Sequence, residues 1–196
     1  MKRLIATALL LALTSTTAIA QTRSCDVGAD VELSSDDEAR FANFFASRSK
    51  GLAEALTADS AEDRRLVSGL MAPDRAVAEG LPDGAYRCRT IKLGGLLPLT
   101  PYGWFACTIG EGGTTIEKTS GSQRFSGALY PADGALAYVG ASHYADEAPR
   151  AYGDDPERDQ IGCLYGVAGD TPRYVLELPS PHFESVHDLI VLEPAE

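Results

Sequence analysis

The sequence has few of the residues from which common catalytic and metal sites are built. It contains three histidines, four cysteines and one tryptophan. It has no Cys-x-x-Cys spacing and its histidines are scattered, which argues against a structural zinc site. A Gly-x-Ser-x-Gly elbow and a phosphate-binding loop are also missing. These absences exclude the best-known hydrolase and nucleotide-binding motifs, and we predict no cofactor.

Basic residues are scarce as well. Lys and Arg number 17 against 28 Asp and Glu, which gives a formal net charge of -11 at pH 7. Binding to nucleic acid depends on clustered cations that face the phosphates, so this balance excludes a nucleic-acid partner. Hydrophobic residues make up 44% of the chain, which is enough apolar surface to predict a folded core.

Long apolar runs are absent beyond the first twenty residues. Near the start, two basic residues precede an apolar run over residues 4–13, and a small-residue pattern ends at Ala20. This order is typical of a secretory signal peptide, and the run is too short to span about 30 Å of hydrocarbon. We predict a signal peptide over residues 1–20 and a periplasmic or secreted protein over residues 21–196, with no transmembrane segment after cleavage.

An exported chain with an even number of cysteines is expected to form disulfides. The predicted strands that carry Cys88 and Cys107 flank a connection over residues 94–101 that is rich in Gly and Pro. Symmetric pairing about this connection would place the two cysteines opposite each other, at a Cα separation that a disulfide accepts. We predict Cys88–Cys107 from this register and Cys25–Cys163 by elimination.

The first part of the mature chain has the pattern of helices. Ser35 and Ser60 are each followed three positions later by an acidic residue, which is the spacing of a helix-capping box. Apolar residues at helical spacing follow each start. We predict a longer helix over residues 35–56, weakened near Gly51, and a shorter helix that ends before Pro73.

Beyond residue 81 the pattern changes to short runs rich in Val, Ile, Leu, Thr and Tyr, separated by Gly and Pro. The predicted strands cover residues 85–93, 102–109, 114–119, 123–130, 135–141, 160–168, 173–178 and 186–193. Eight short strands joined by brief turns favour an antiparallel up-and-down β-barrel or a strongly curled sheet, with a two-sheet sandwich as the alternative. The predicted fold class is α+β, mainly β. We expect a single domain with a helical segment over residues 35–72, outside the sheet or plugging one end, and a barrel-like segment over residues 81–193.

Charged side chains are candidates for the mouth of this barrel. Arg87 and Arg89 share one face of a predicted strand, Arg124 begins a later strand, and the long polar loop over residues 144–159 adds further charges. One interpretation is that arginines pair with aspartates of this loop and lock it to the barrel. The other is that some of them bind a small polar or anionic ligand. The predicted ligand-binding residues are Arg87, Arg89, Arg124, Tyr152, Arg158 and Asp159.

Three stretches of the sequence carry a family resemblance. They are GAYRCRTIKLG from Gly84, KTSGSQR from Lys118 with GALYP from Gly127, and PRAYG from Pro149 followed by DPERDQIG from Asp155. Together they resemble the domain-of-unknown-function family 4893, a family of exported bacterial proteins, over residues 35–192. The resemblance implies that Cys88 and Cys107 are part of the family pattern, whereas Cys25 and Cys163 look particular to this chain. It implies no catalytic residue, because the family has no assigned activity.

These observations favour a non-catalytic exported protein that binds a small polar or anionic ligand at the barrel mouth. One alternative is an unrecognised hydrolase that uses Asp159 or Glu157 as a general base beside Tyr152. The other is a structural or interaction protein of the cell envelope, for which an exposed apolar patch on the helices would be the sign.

Overall fold

The computed structural model describes Cys25, Val27 and residues 31–72, 75–76, 80–132 and 134–195. The predicted signal peptide and its cleavage point lie outside these residues. The helices are α1 (Ser35–Ala42), α2 (Phe44–Ala55) and α3 (Ala61–Leu70). The strands are β1 (Arg75–Ala76), β2 (Gly84–Leu93), β3 (Leu99–Pro101), β4 (Phe105–Gly110), β5 (Thr115–Lys118), β6 (Gln123–Ala132), β7 (Ala135–Tyr144), β8 (Asp159–Val167), β9 (Tyr174–Pro179) and β10 (His187–Pro194). None of the described helices has the length and apolar character needed to traverse a bilayer.

Eight of the strands close into an antiparallel up-and-down barrel. From β4 to β10 each strand pairs with the next one along the chain, and β4 also pairs with β2. The ring closes because β10 pairs back onto β2 through eight residue pairs, from His187↔Leu93 to Pro194↔Tyr86. The short strands β1 and β3, which were not predicted, add to β8 and β2. The mainly-β fold class and the barrel are therefore confirmed, and the sandwich alternative is wrong.

The register between β2 and β4 differs from the symmetric one. Leu93 pairs with Leu99, so the turn closes over residues 94–98 instead of 94–101. A bulge then inserts one extra residue between Pro101 and Phe105, because β3 and β4 pair with β2 in registers that differ by one position. Turn length and bulges set hairpin register, and neither followed from the strand pattern.

The predicted disulfides are nevertheless both present. Cys88 lies opposite Phe105, so its partner Cys107 is a diagonal neighbour on the adjacent strand and not the directly opposed residue. The two Cα atoms are 5.8 Å apart, a separation that a disulfide accepts. Cys25–Cys163 joins the chain before α1 to β8, also at 5.8 Å. Two disulfides are the pattern of a protein from an oxidising compartment.

The helices pack against the outside of the barrel. Ala55, Val67 and Leu70 of α2 and α3 form one buried cluster with Ile91 of β2 and Leu189 of β10. These strand positions alternate with residues that face the barrel interior, as the two-residue period of a strand requires. The helices therefore cover one side of the barrel and do not plug its end.

The observed helices differ from the predicted ones in two places. Residues 35–56 form two helices, α1 and α2, with a break at Asn43 and not at Gly51. The side chain of Asn43 donates a hydrogen bond to Ser180 after β9, a tertiary contact that local propensity does not encode. The N-cap of α1 is Ser34 and not Ser35, because the Ser34 hydroxyl accepts from the backbone N–H of Asp37.

We expect the Cys88–Cys107 disulfide to contribute substantially to stability. It closes a loop with a sequence separation of 19, for which the chain-entropy relation gives about 3 kcal/mol. The double variant Cys88→Ala/Cys107→Ala should lower the free energy of unfolding in urea by about this amount. Far-UV circular dichroism checks that the variant retains its strands. An unfolding midpoint and slope equal to those of the parent would contradict the expectation.

Substitution by alanine at two helical glycines should change the stability of the protein in opposite directions. A Cβ atom on Gly51 would lie 2.9 Å from the Cβ of His187 and 3.3 Å from that of Leu93, since α2 packs closely on the barrel there. Gly51→Ala should therefore destabilise the protein by about 1–3 kcal/mol. A Cβ atom on Gly69 of α3 would meet no heavy atom within 4 Å, so Gly69→Ala should stabilise by about 0.5–1 kcal/mol through helix propensity.

Thermal and urea unfolding of the two variants provide the comparison. Stabilisation by both substitutions would show that α2 can move away from β10 at little cost, and would contradict the close packing described for Gly51.

Candidate functional site

The barrel is open at one end, where a cavity of about 780 Å³ enters its interior. This volume lies within the range of small-molecule binding sites. The floor of the cavity is apolar and consists of Phe105, Phe125, Leu178 and Ile190, the last three of which belong to the barrel core. Above this floor the walls carry charged side chains from β2, β5, β6, β10 and the loops at this end. The cavity is therefore amphipathic.

One wall of the cavity presents three cations. Lys118 is the last residue of β5 and alternates with the core residue Ile116, which directs its side chain into the barrel. Its ammonium donates to the carbonyl oxygen of Gln123 (2.7 Å) and lies 4.0 Å from the centroid of the Phe105 ring. Lys118 is only 7% exposed, and no carboxylate of the described residues lies within ion-pair distance of it.

Arg124 and Arg158 complete this cationic wall. The Nε of Arg124 donates to the carbonyl of Gly121 (3.2 Å), and the Arg158 guanidinium lies 4.5 Å from the centroid of the Tyr144 ring. Neither makes an ion pair with a carboxylate in the described part of the chain. Burial lowers the pKa of Lys118, and the nearby charge of Arg124 lowers it further. An anion placed here would oppose both effects.

The opposite wall carries a lysine that is already paired with two carboxylates. β10 lies across the ring from β6, and Lys92 of β2 lies 3.6 Å from a carboxylate oxygen of Asp188 and 3.3 Å from one of Glu184. Burial raises the pKa of Asp188 in spite of the opposing charge of Lys92. Burial also lowers the pKa of Lys92, but the two carboxylates outweigh this effect and raise it. Asp188 further accepts a hydrogen bond from the Ser185 hydroxyl (2.6 Å).

Three of the sequence-predicted site residues, Arg87, Arg89 and Tyr152, do not line the cavity. Arg87 and Arg89 flank the interior residue Cys88 on β2, so they are on the outer surface of the barrel. The Nε of Arg87 donates to Glu193 of β10 (2.8 Å), and both guanidinium groups lie against the ring of Trp104. Neither residue lines the cavity.

The predicted ion pairs between these two arginines and aspartates of the long loop are wrong, because both sides have other partners. Arg87 pairs with Glu193, and the loop residue Asp155 pairs with Arg150 of the same loop (3.5 Å). The side chain of Asp159 accepts from the backbone N–H of Gly153 (2.9 Å). The loop is therefore held by its own contacts and by α1.

Tyr152 and Asp159 lie where this loop meets α1. The Tyr152 hydroxyl donates to Asp37 (2.6 Å) and accepts from the backbone N–H of Ser34 (3.0 Å). Arg40 donates to Asp37 (2.6 Å) and to the carbonyl oxygen of Asp159 (3.2 Å). Asp159 and Arg40 line the cavity, whereas Tyr152 is occupied in fastening the loop.

The hydrolase alternative would need Asp159 beside a second catalytic group. Burial raises the pKa of Asp159, although the hydrogen bond from Gly153 opposes this. A raised pKa suits a general acid or base. The hydroxyl of its predicted partner Tyr152, however, donates a hydrogen bond to Asp37. The predicted pair is therefore not assembled as a catalytic unit.

One group of ligand-type side chains is close enough to suggest a metal. Among the residues that the structure describes, Asp36, Asp37 and His182 place ligand atoms within 4.8 Å of one another. The two carboxylate oxygens of Asp37 already accept from Arg40 and from Tyr152, and an Arg40 nitrogen lies 3.1 Å from His182 Nε2. A cation here would be repelled by the guanidinium, so the arrangement favours an internal ion pair.

Sequence analysis missed a buried polar network under α2. His187 Nε2 lies 2.8 Å from Glu177, and His187 Nδ1 lies 3.0 Å from the hydroxyl of Ser47. These are the residue types of a hydrolase triad, but all three are buried. The Ser47 hydroxyl also donates to the carbonyl of Val186 (2.8 Å) and accepts from the N–H of Ser180 (3.0 Å). The network therefore fastens α2 to the barrel, and no local motif signals it because Ser47 is distant in sequence.

Lys118 was also missed as a site residue, although a signal for it exists. A lysine that alternates with an isoleucine on a short strand is at an interior position, which is unusual for a charge.

The comparisons with known proteins bear on identity and not on chemistry. The family model described as Domain of unknown function (DUF4893) matches residues 30–192, a range that contains the three helices of the described residues and every cavity-lining residue. No curated protein and no solved structure matches the chain. The resemblance drawn from the three sequence motifs is thereby confirmed, and the chain belongs to the DUF4893 family.

Proposed function

We propose that this protein is an exported, non-catalytic binding protein that holds a small anionic ligand in the open end of its barrel. The observation that carries the proposal is Lys118, an ammonium group buried in the cavity with no carboxylate partner among the described residues. Burial of an unpaired charge is costly. A bound anion would supply the missing counter-charge.

Arg124 and Arg158 support the same conclusion. A guanidinium group offers paired N–H donors that match a carboxylate or phosphate, so two arginines beside an ammonium suit an acidic group. Arg158 lines the cavity, where its guanidinium lies against the Tyr144 ring and makes no ion pair with a carboxylate of the described residues.

Export is the second part of the proposal. The pattern over residues 1–20 is typical of a cleavable signal peptide. The two disulfides support it, because such bonds persist in the periplasm and outside the cell and are rare in the cytosol. The ligand would accordingly be a molecule of the cell envelope or the surroundings.

Two other functions are less well supported. For a hydrolase, the favourable observation is the raised pKa of Asp159 at the cavity, but Tyr152 is bound elsewhere. For an interaction protein, Phe45 and Leu56 of the helical segment are 43% and 47% exposed. Two exposed side chains do not by themselves make a large apolar patch.

Removal of a cavity cation should weaken anion binding. We expect inorganic phosphate and acetate to shift backbone amide resonances of the cavity strands at low ionic strength and pH 7. Lys118→Met and Arg124→Ala should each weaken this binding about tenfold, the loss expected for one charge-assisted hydrogen bond. Arg65→Ala is the matched control, because it removes an exposed positive charge from α3, away from the cavity.

Circular dichroism checks that each variant is folded, and Arg124→Gln replaces Arg124→Ala if the latter is not. The proposal is overturned if neither anion shifts the cavity resonances of the parent, or if Arg65→Ala weakens binding as much as the cavity variants.

The pH dependence of stability gives a second test. Because the pKa of Lys118 is lowered on folding, the native chain loses this proton at a lower pH than the unfolded chain, where the value is 10.5. Between the two values the unfolded state binds more protons, so the free energy of unfolding rises with pH. Relative to Lys118→Met, the parent should gain stability in urea as the pH is raised from 7 to 10.5. Saturating phosphate should reduce that gain. Parallel pH profiles of the free energy of unfolding for the parent and Lys118→Met would contradict the prediction.

A further inference from the structure

We infer that the ligand is an organic acid in which the acidic group is joined to a compact apolar group of about the size of a phenyl ring. The inference deepens the proposed function and rests on it. The cationic wall and the apolar floor meet at one point, because the Lys118 ammonium lies 4.0 Å from the centroid of the Phe105 ring. An anion bound to Lys118 is therefore in reach of Phe105 and its neighbours.

The apolar floor is the first reason to expect an apolar group. Phe105, Phe125, Leu178 and Ile190 all line the cavity. A purely polar anion, such as inorganic phosphate, would leave this surface in contact with water. A ligand that covers it gains about 25 cal/mol for each Å² of apolar surface removed from water.

The filling of the barrel below the floor limits the size of that group. The ring of Phe125 packs edge to face on Tyr138, with ring centroids 6.2 Å apart. Tyr138 is fully buried, and Leu176, Leu192 and the Cys88–Cys107 disulfide fill the same interior. A long alkyl chain would have to displace these buried side chains to pass through the core. The apolar group must therefore be short and compact.

The opposite wall argues against a second acidic group on the ligand. Lys92 already pairs with Asp188 and Glu184, and Asp188 also accepts from Ser185. A second acidic group would be repelled by these two carboxylates. A ligand with a single acidic group leaves the contacts intact.

Part of the rim of the cavity is also apolar. Phe183 lines the cavity and is 50% exposed. An apolar ligand would meet apolar surface as it enters.

The test compares four probes on the purified chain: acetate, benzoate, benzamide and dodecanoate. Amide-shift titration reports binding at the cavity residues specifically. We expect benzoate to bind about tenfold more tightly than acetate, since ring burial adds to the same carboxylate contact. Benzamide, which has the ring without the charge, should bind more weakly than benzoate. Dodecanoate, kept below its micelle concentration, should bind no more tightly than benzoate.

The outcomes separate this inference from the proposed function. If acetate binds and benzoate is no tighter, the inference is overturned and anion binding stands. Dodecanoate that binds far more tightly than benzoate would overturn the size limit. If neither inorganic phosphate, acetate nor benzoate shifts the cavity resonances, both the inference and the proposed function fail.

Variants of the floor provide an independent check. Phe105→Leu should reduce the preference for benzoate over acetate several-fold and leave acetate affinity nearly unchanged. Phe45→Leu, at an exposed position on α2, is the matched control and should leave the preference intact. Ile190→Val serves as a second floor variant if Phe105→Leu does not fold. An equal loss of affinity for benzoate and for acetate in a folded floor variant would contradict the inference.

Discussion

The pairing of β10 with β2 is the contact on which the rest of the structure depends. Its eight residue pairs convert a meander into a closed ring, so that the eight described barrel strands leave no long edge to pair with another chain. Closure also forces each strand to have an inside and an outside. The inside becomes a filled core with one open end, and the outside of the same two strands becomes the platform for α2 and α3.

The strand period separates the positions of Lys118 and Arg87. Lys118 faces the interior because Ile116 does, whereas Arg87 faces outward because Cys88 faces inward. The outward arginine meets Glu193 across the β2–β10 pair and is neutralised there. The inward lysine meets an aromatic ring and a carbonyl oxygen, neither of which cancels its charge. The cavity thus keeps a positive wall in a protein whose net charge is strongly negative.

The buried polar groups under α2 and those in the cavity differ in how far their hydrogen bonds and charges are satisfied. Under α2, His187, Glu177 and Ser47 satisfy one another and hold a helix that approaches the barrel at Gly51. In the cavity, the ammonium of Lys118 has no such arrangement. A satisfied network fixes one packing, while an unpaired charge in a cavity costs stability unless a ligand completes it. This contrast is why we place function at the barrel mouth and not at the triad-like group.

Local pattern alone determined the eight barrel strands and the mainly-β class, because alternation and turn residues are properties of the chain itself. Both cysteine pairs were predicted correctly, although the register used to predict Cys88–Cys107 differs from the observed one. Local pattern did not determine the β2–β4 register, the break at Asn43 or the wall to which Lys118 contributes. A bulge, a side chain bound to Ser180 and the closure of a ring each depend on residues distant in sequence. The alternation of Arg87 and Arg89 placed them on one face, but only the tertiary structure decided that this face is the outside of the barrel.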